Sequence, residues 1–153
     1  MKALVVYDSN YGNTKLVAEE VAENLGNHVR TIAIRDFESI DMVGVELFVL
    51  GSPINGWRAT ERTMDSLKKF KEHDFDGIKF TTFDTRIKMF IHGDAKDKLA
   101  NVIAGKGGQL ISDPMEFYVN GREGPLLEGQ LKNAAEWAQQ INSNFMETVN
   151  QLR

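Results

Sequence analysis

The chain has 153 residues, enough for one domain with a sizeable core, here taken as 1–153, and its 42% hydrophobic and 26% charged content is that of a globular protein. A formal net charge of -4 argues against a nucleic-acid footprint. Cysteine is absent, which excludes disulfides, thiolate metal sites and iron–sulfur ligands and fits a reducing compartment. The first apolar run begins at residue 3 with no charged leader, and no stretch approaches the ~20 apolar residues of a membrane span. The expectation is a cytoplasmic protein without signal peptide or membrane span.

Residues 3–7 are apolar and β-branched, as a strand buried on both faces would be. A loop of hydroxyl, amide and glycine residues follows over 8–14. Leu16, Val17, Val21 and Leu25 then repeat at helical spacing, and Gly26-Asn27 reads as the C-cap. Residues 28–34 alternate as an edge strand, and 36–43 are irregular. A second buried strand is predicted over 45–51, followed by a loop over 52–60 rich in Pro, Gly and Asn. Met64, Leu67 and Phe70 mark the next helix. Residues 79–83 form a strand that ends at Asp84, and a long loop occupies 85–93. Ala95, Leu99, Val102 and Ile103 form a helical stripe, with Asp94 as its N-cap. Short strand pieces lie at 109–111 and 116–119. The last helix is predicted over 126–152, with Leu131, Ala134, Ala138, Ile141, Phe145, Val149 and Leu152 on one face.

Strands alternating with helices imply a parallel sheet covered on both faces, with right-handed crossovers. Five strands fit a three-layer α/β/α fold, doubly wound in the order 2-1-3-4-5. Ligands of such sheets bind beyond the carboxyl ends of the strands, at the switch point between the first and third. At the first of these ends the loop 8–14 meets a helix N-terminus, where free N–H groups and the helix dipole favour an anion. Ser9, Asn13 and Thr14 add neutral donors, and Gly12 permits close backbone approach. The residues make a phosphate cradle.

Tyr7-x-Ser9-x-x-Gly12-Asn13-Thr14-x-x-x-Ala18 resembles the phosphate-binding signature of the flavodoxin family. The resemblance covers essentially the whole chain. It implies a flavodoxin-like fold and FMN held by its phosphate on Ser9, Asn10, Tyr11, Gly12, Asn13 and Thr14. Tyr11 stands where many flavodoxins have threonine or serine. The second loop, Ser52, Pro53, Ile54, Asn55, Gly56 and Trp57, would then contact the flavin, with Trp57 offering an aromatic face. A glycine-containing peptide there would flip with redox state, as in the family. From the third loop the resemblance assigns Asp84, Thr85, Arg86 and Phe90. Many flavodoxins carry a stacking tyrosine and an acidic rim in this loop; here there is no tyrosine, and Arg86 and Lys88 are basic. Phe90 reads either as core packing or as a flavin contact, and Met89 and His92 are alternatives for covering the ring.

The implied function is an FMN electron carrier between a reductase and acceptor enzymes, more an electron carrier than an enzyme with its own substrate. The alternatives are an FMN-dependent oxidoreductase, such as a quinone reductase or a protoporphyrinogen-oxidase relative, and a flavodoxin fold that no longer holds FMN. The three histidines show no ligand spacing, so no catalytic metal is expected. There is no nucleophile elbow, no G-x-G-x-x-G after a strand and no G-K-[ST]. A phospho-receiver would need an aspartate where Gly51-Ser52 stands. A 27-residue last helix would be ~40 Å long, twice the ~20 Å of a six-residue strand. Phe145, Val149 and Leu152 should then overhang the sheet and pack in a two-fold homodimer.

Overall fold

The computed structural model describes residues 1–26 and 28–152. Strand β1 (Ala3–Tyr7) lies between β2 (Val29–Ala33) and β3 (Leu47–Asn55), all parallel. β3 continues into the hairpin strand β4 (Arg58–Ala59) and pairs on its other side with β5 (Lys79–Ile87). The far edge is shared by β6 (Gln109–Leu110) on the first half of β5 and β7 (Met115–Val119) on the second. The parallel order is therefore the expected 2-1-3-4-5, with the fifth position split in two. Helices α1 (Asn13–Leu25) and α4 (Gln130–Gln151) cover one face, and α2 (Glu61–Lys68) and α3 (Lys96–Gly105) the other.

Alternation along the strands feeds two cores. Leu4, Val6, Phe48, Leu50 and Phe80 pack with Leu67, Leu99 and Ile103. Ala3, Val5, Leu47, Val49 and Phe83 pack with Val17, Val21, Ala138 and Ile141. Both sets are fully apolar, as a sheet buried on both faces requires. Two short 3-10 turns, Ile34–Asp36 and Ser39–Met42, carry the crossover from β2 to β3. Gly26 caps α1 at φ 126, while the Asn27 half of that expected cap lies outside the described residues. Among the described residues, no helix is long and apolar enough to cross a membrane.

The register places the site. β1 ends with Tyr7 opposite Gly51, but β3 and β5 run on together, with Ser52 opposite Asp84 and Pro53 opposite Thr85. Ser52–Asn55 and Thr85–Ile87 are therefore strand rather than the predicted loops. Their polar composition hid a pairing that only the neighbouring strand reveals. The step above β1 forms one wall of a crevice.

The C-terminal helix also differs from expectation. It starts at Gln130, because Leu126 is committed to a bridge with Val119. Its 22 residues span about 33 Å at ~1.5 Å each. The nine residues of β5 span about 30 Å at ~3.3 Å each. The lengths match, so there is no overhang. Phe145 is buried, with the Lys79 ammonium 5.3 Å from its ring centroid, and Val149 packs on the same core. Asn144 Nδ2 donates to the Ile111 carbonyl at 2.9 Å and Trp137 Nε1 to that of Asp113 at 3.2 Å, fastening the helix to the break in the edge strand. Only Leu152 of the three supposed dimer residues is well exposed, which removes the basis for a homodimer through this stripe.

Phe145→Ala is expected to lose about 3–5 kcal/mol in urea denaturation, the usual cost of an aromatic deleted from a core. A loss below about 1 kcal/mol would mean that the end of α4 contributes little to the fold.

Candidate functional site

The loop after β1 is arranged around its backbone. Ser9 Oγ accepts from the Gly12 N–H at 2.9 Å and closes the turn. Gly12 sits at φ 94 as the N-cap of α1, in the left-handed region that a side chain would strain. It supplies no capping side chain, and the first turn of α1 has no acidic residue. The first N–H groups of the helix thus have neither an intrahelical acceptor nor a competing carboxylate. Thr14 is buried, its hydroxyl 2.8 Å from that of Thr85 on β5. It ties the loop to the sheet instead of presenting an unpaired hydroxyl. Asn13 Nδ2 donates to the Glu123 carbonyl at 3.1 Å, so the segment before α4 reaches back over the loop.

Asp8 connects the first loop to the second. It is buried at the end of β1, where the Thr60 hydroxyl donates to its Oδ2. Arg62 Nε and Nη2 both donate to the same carboxylate, and Nη2 reaches Asn10 Oδ1 at 2.7 Å. The bond to Asp8 and its charge raise the Arg62 pKa. Thr60 also caps α2 by accepting from the Thr63 N–H, and its own N–H donates to Ser52 Oγ at 3.0 Å.

Gly56 and Trp57 form the two-residue turn between β3 and β4, with φ 59 and 74. Two positive φ values are what a type I′ hairpin demands. They suit glycine and strain tryptophan. The Trp57 side chain is 60% exposed, and its carbonyl accepts the Asp94 N–H at 3.1 Å. A Cβ on Gly93 would collide with the Trp57 backbone, so the third loop needs glycine to approach this closely.

On β5, Asp84 is fully buried and Arg86 nearly so. Arg86 donates from Nε to Asp84 Oδ1 at 2.8 Å and from Nη2 to Oδ2 at 2.6 Å. Asp84 Oδ2 also accepts the Ala95 and Lys96 N–H groups at 3.2 and 3.0 Å, so it serves the N-terminus of α3. Asp94, the expected cap, accepts one position on, from the Lys98 N–H at 3.1 Å. Burial lowers the Arg86 pKa, but the hydrogen bond and charge of Asp84, with Glu116 and Asp94, outweigh it, and the net shift is upward. Met89, Phe90 and Ile91 are exposed, Phe90 completely; the core-packing alternative for Phe90 does not hold.

These elements enclose a slot of about 100 Å³. Its walls include Ser9, Asn10, Tyr11, Asn13 and Thr14 of the first loop, Pro53, Ile54 and Asn55 of β3, and Thr85 and Arg86 of β5. Ser52 and Asp84 are fully buried and do not line the slot. Gly56, Trp57 and Phe90 do not line the slot; Trp57 and Phe90 are exposed on neighbouring loops joined through Gly93 and Asp94. Gly12 opens into an adjoining cleft lined by Lys15, Arg35 and Arg62. Ile87, Val119 and Arg122 also line the slot and were not anticipated. Neither were Arg62 and Glu123, whose partners lie 52–54 and 110 residues away in the chain.

The flavodoxin domain family matches residues 4–147. No curated protein matches the chain. Among solved structures, oxidised flavodoxin 2 from Bacillus cereus is 17% identical with a TM-score of 0.80, covering 95% of this chain and 100% of that one. Rubredoxin oxygen:oxidoreductase from Desulfovibrio gigas is 16% identical with a TM-score of 0.77, over 97% of this chain. The flavodiiron core of Flv1 from Synechocystis is 18% identical with a TM-score of 0.75, again over 97%. The chain spans only 37% and 36% of the length of these last two. At such identities the structural likeness is one of fold, whereas the family match runs through both the 8–14 loop and the sheet, and the chain belongs to the flavodoxin domain family.

Proposed function

We propose that the chain binds FMN on the 9–14 loop and serves as an electron-transfer protein in the cytoplasm, receiving electrons from a reductase and passing them to an acceptor enzyme. The observation that carries this reading is the uncapped, acid-free N-terminus of α1, closed by Gly12 and surrounded by the neutral groups of Ser9, Asn10 and Asn13. Backbone N–H groups at a helix N-terminus suit a phosphate dianion, and neutral side-chain donors add to them without full charge. The residues present therefore fit the cofactor. The slot is too small for a whole FMN, since ligand pockets commonly run to ~300 Å³ or more. It would take the phosphate end, leaving the flavin at the mouth, where the exposed Trp57 and Phe90 offer aromatic faces. Bound FMN would supply the redox chemistry; the chain positions it and sets its surroundings. Trp57, Met89, Phe90 and Ile91 form an apolar rim of the kind that partner proteins meet.

Flavin titration of the purified protein, followed by flavin fluorescence, tests the reading. Gly12→Asp introduces a charge and a side chain at φ 94, and should abolish FMN binding while cooperative unfolding persists. Unchanged affinity would refute the phosphate site. Trp57→Gly should separate strain from stacking. Relief of ~1–3 kcal/mol of backbone strain exceeds the ~0.4–1 kcal/mol entropic cost of a new glycine. The variant should therefore melt higher by roughly 1 kcal/mol while binding FMN more weakly and losing the FMN-quenched tryptophan emission. Trp137, buried against the sheet, is the internal control.

A further inference from the structure

We propose that Arg122 is a binding residue for the phosphate of the cofactor, delivered to the slot by the hairpin between β7 and α4. The inference rests on the FMN reading above, which gives the slot to the phosphate end. It extends that reading to a segment outside the three loops that the flavodoxin resemblance assigns.

The hairpin is held in a fixed position. Val119 forms an antiparallel bridge with Leu126. The Asn120 N–H donates to the Pro125 carbonyl at 2.8 Å, and the Leu127 N–H to that of Tyr118 at 2.9 Å. The Gly124 N–H donates to the Gly121 carbonyl at 3.0 Å and closes a turn over 121–124. This turn rests on the start of α1, where Asn13 Nδ2 donates to the Glu123 carbonyl at 3.1 Å. Gly124 has φ 100, and a Cβ there would collide with the Asn13 amide. Glycine is what lets the turn come this close to the first loop. Arg122 sits in the turn and lines the slot together with Ser9, Asn10, Tyr11, Asn13 and Thr14.

Charge balance asks for such a residue. A phosphate monoester carries close to two negative charges at neutral pH. The N-terminus of α1 supplies about half a positive charge, and the hydroxyl and amide groups around it add donors without net charge. The slot lining holds two cations, Arg86 and Arg122, and no carboxylate. Arg86 is already forked to Asp84 and bound to His92. Among the described residues, the arginine ion pairs belong to Arg30, Arg62 and Arg86, and none to Arg122. Its neighbour Glu123 does not line the slot. Arg122 thus brings a whole charge and a planar fork of N–H groups, the geometry that suits phosphate oxygens.

Fluorescence titration with FMN and with riboflavin, which lacks the phosphate, tests the assignment. Arg122→Gln should weaken FMN binding by about tenfold or more, the scale of a hydrogen bond to a charged group. Riboflavin binding and the melting temperature should stay as in the wild type. Arg122→Lys, which keeps the charge, should recover most of the loss. The gap between wild type and Arg122→Gln should narrow as salt is raised, because an exposed guanidinium is screened. Gly124→Ala, which pushes the turn off Asn13, should lower FMN affinity more than riboflavin affinity although every charge remains. Unchanged FMN affinity in Arg122→Gln or Gly124→Ala, or equal losses for the two flavins, would overturn the proposal while leaving FMN binding itself in place. Wild-type protein that takes up no FMN would refute the functional reading, and this inference with it.

Discussion

Asp8 enters the interior where β1 ends, and the arrangement of the crevice depends on what it meets there. One carboxylate takes the Thr60 hydroxyl and the fork of Arg62, and Arg62 in turn holds Asn10. The 8–14 loop, the end of the β3–β4 hairpin and the start of α2 are thereby fixed to one another. Removing a carboxylate from water costs several kcal/mol, so the carboxylate is tolerated only because its oxygens are filled. Asp84 repeats the device two strands away. It too is buried, forked by an arginine and set at the head of a helix, where it accepts the first N–H groups of α3. Breaking either pair would strand a buried charge, which costs more than the pair itself contributes.

What could be read in the sequence was what is local. The run from β1 through the 8–14 loop into α1 is contiguous, and its apolar periodicity, glycine and neutral donors each carry meaning without the rest of the fold. The sheet order followed from alternation of strands and helices. Ser52–Asn55 and Thr85–Ile87 were illegible because a strand end that carries polar residues looks like loop until its partner strand is placed beside it. The anchoring contacts were hidden for the same reason. Thr14 meets Thr85 across 71 residues and Asp8 meets Arg62 across 54. For Phe145 the error was one of length. A six-residue strand was assumed, and the nine-residue β5 offers the end of α4 a surface to cover.

Trp57 shows how strain and exposure can coincide. A tryptophan at φ 74 in a two-residue turn, with its ring largely in water, gains little from burial and costs backbone energy. Its neighbour Gly56 already supplies the positive φ that the turn needs first. Packing within the chain does not account for a large aromatic at the second position. Phe90, fully exposed on the adjoining loop, presents the same imbalance. Two such residues stand exposed on loops joined by the Gly93–Trp57 approach. A planar ligand there would recover the contact area that the fold leaves unused.

The charge of the site runs against that of the molecule. The protein as a whole is acidic by four charges, yet the slot is lined by two arginines and no carboxylate. Distance and burial decide how strongly each of these charges acts in the slot. Exposed charges farther away than the ~8–10 Å Debye length are screened by salt at physiological strength. A guanidinium fixed at 5% exposure acts through a medium of lower dielectric, where a charge at a few ångströms is worth several times its value in water. The net charge governs which partners approach from afar. Within the slot, Arg86 is the cation the fold holds in place, by the fork to Asp84 and the contact with His92.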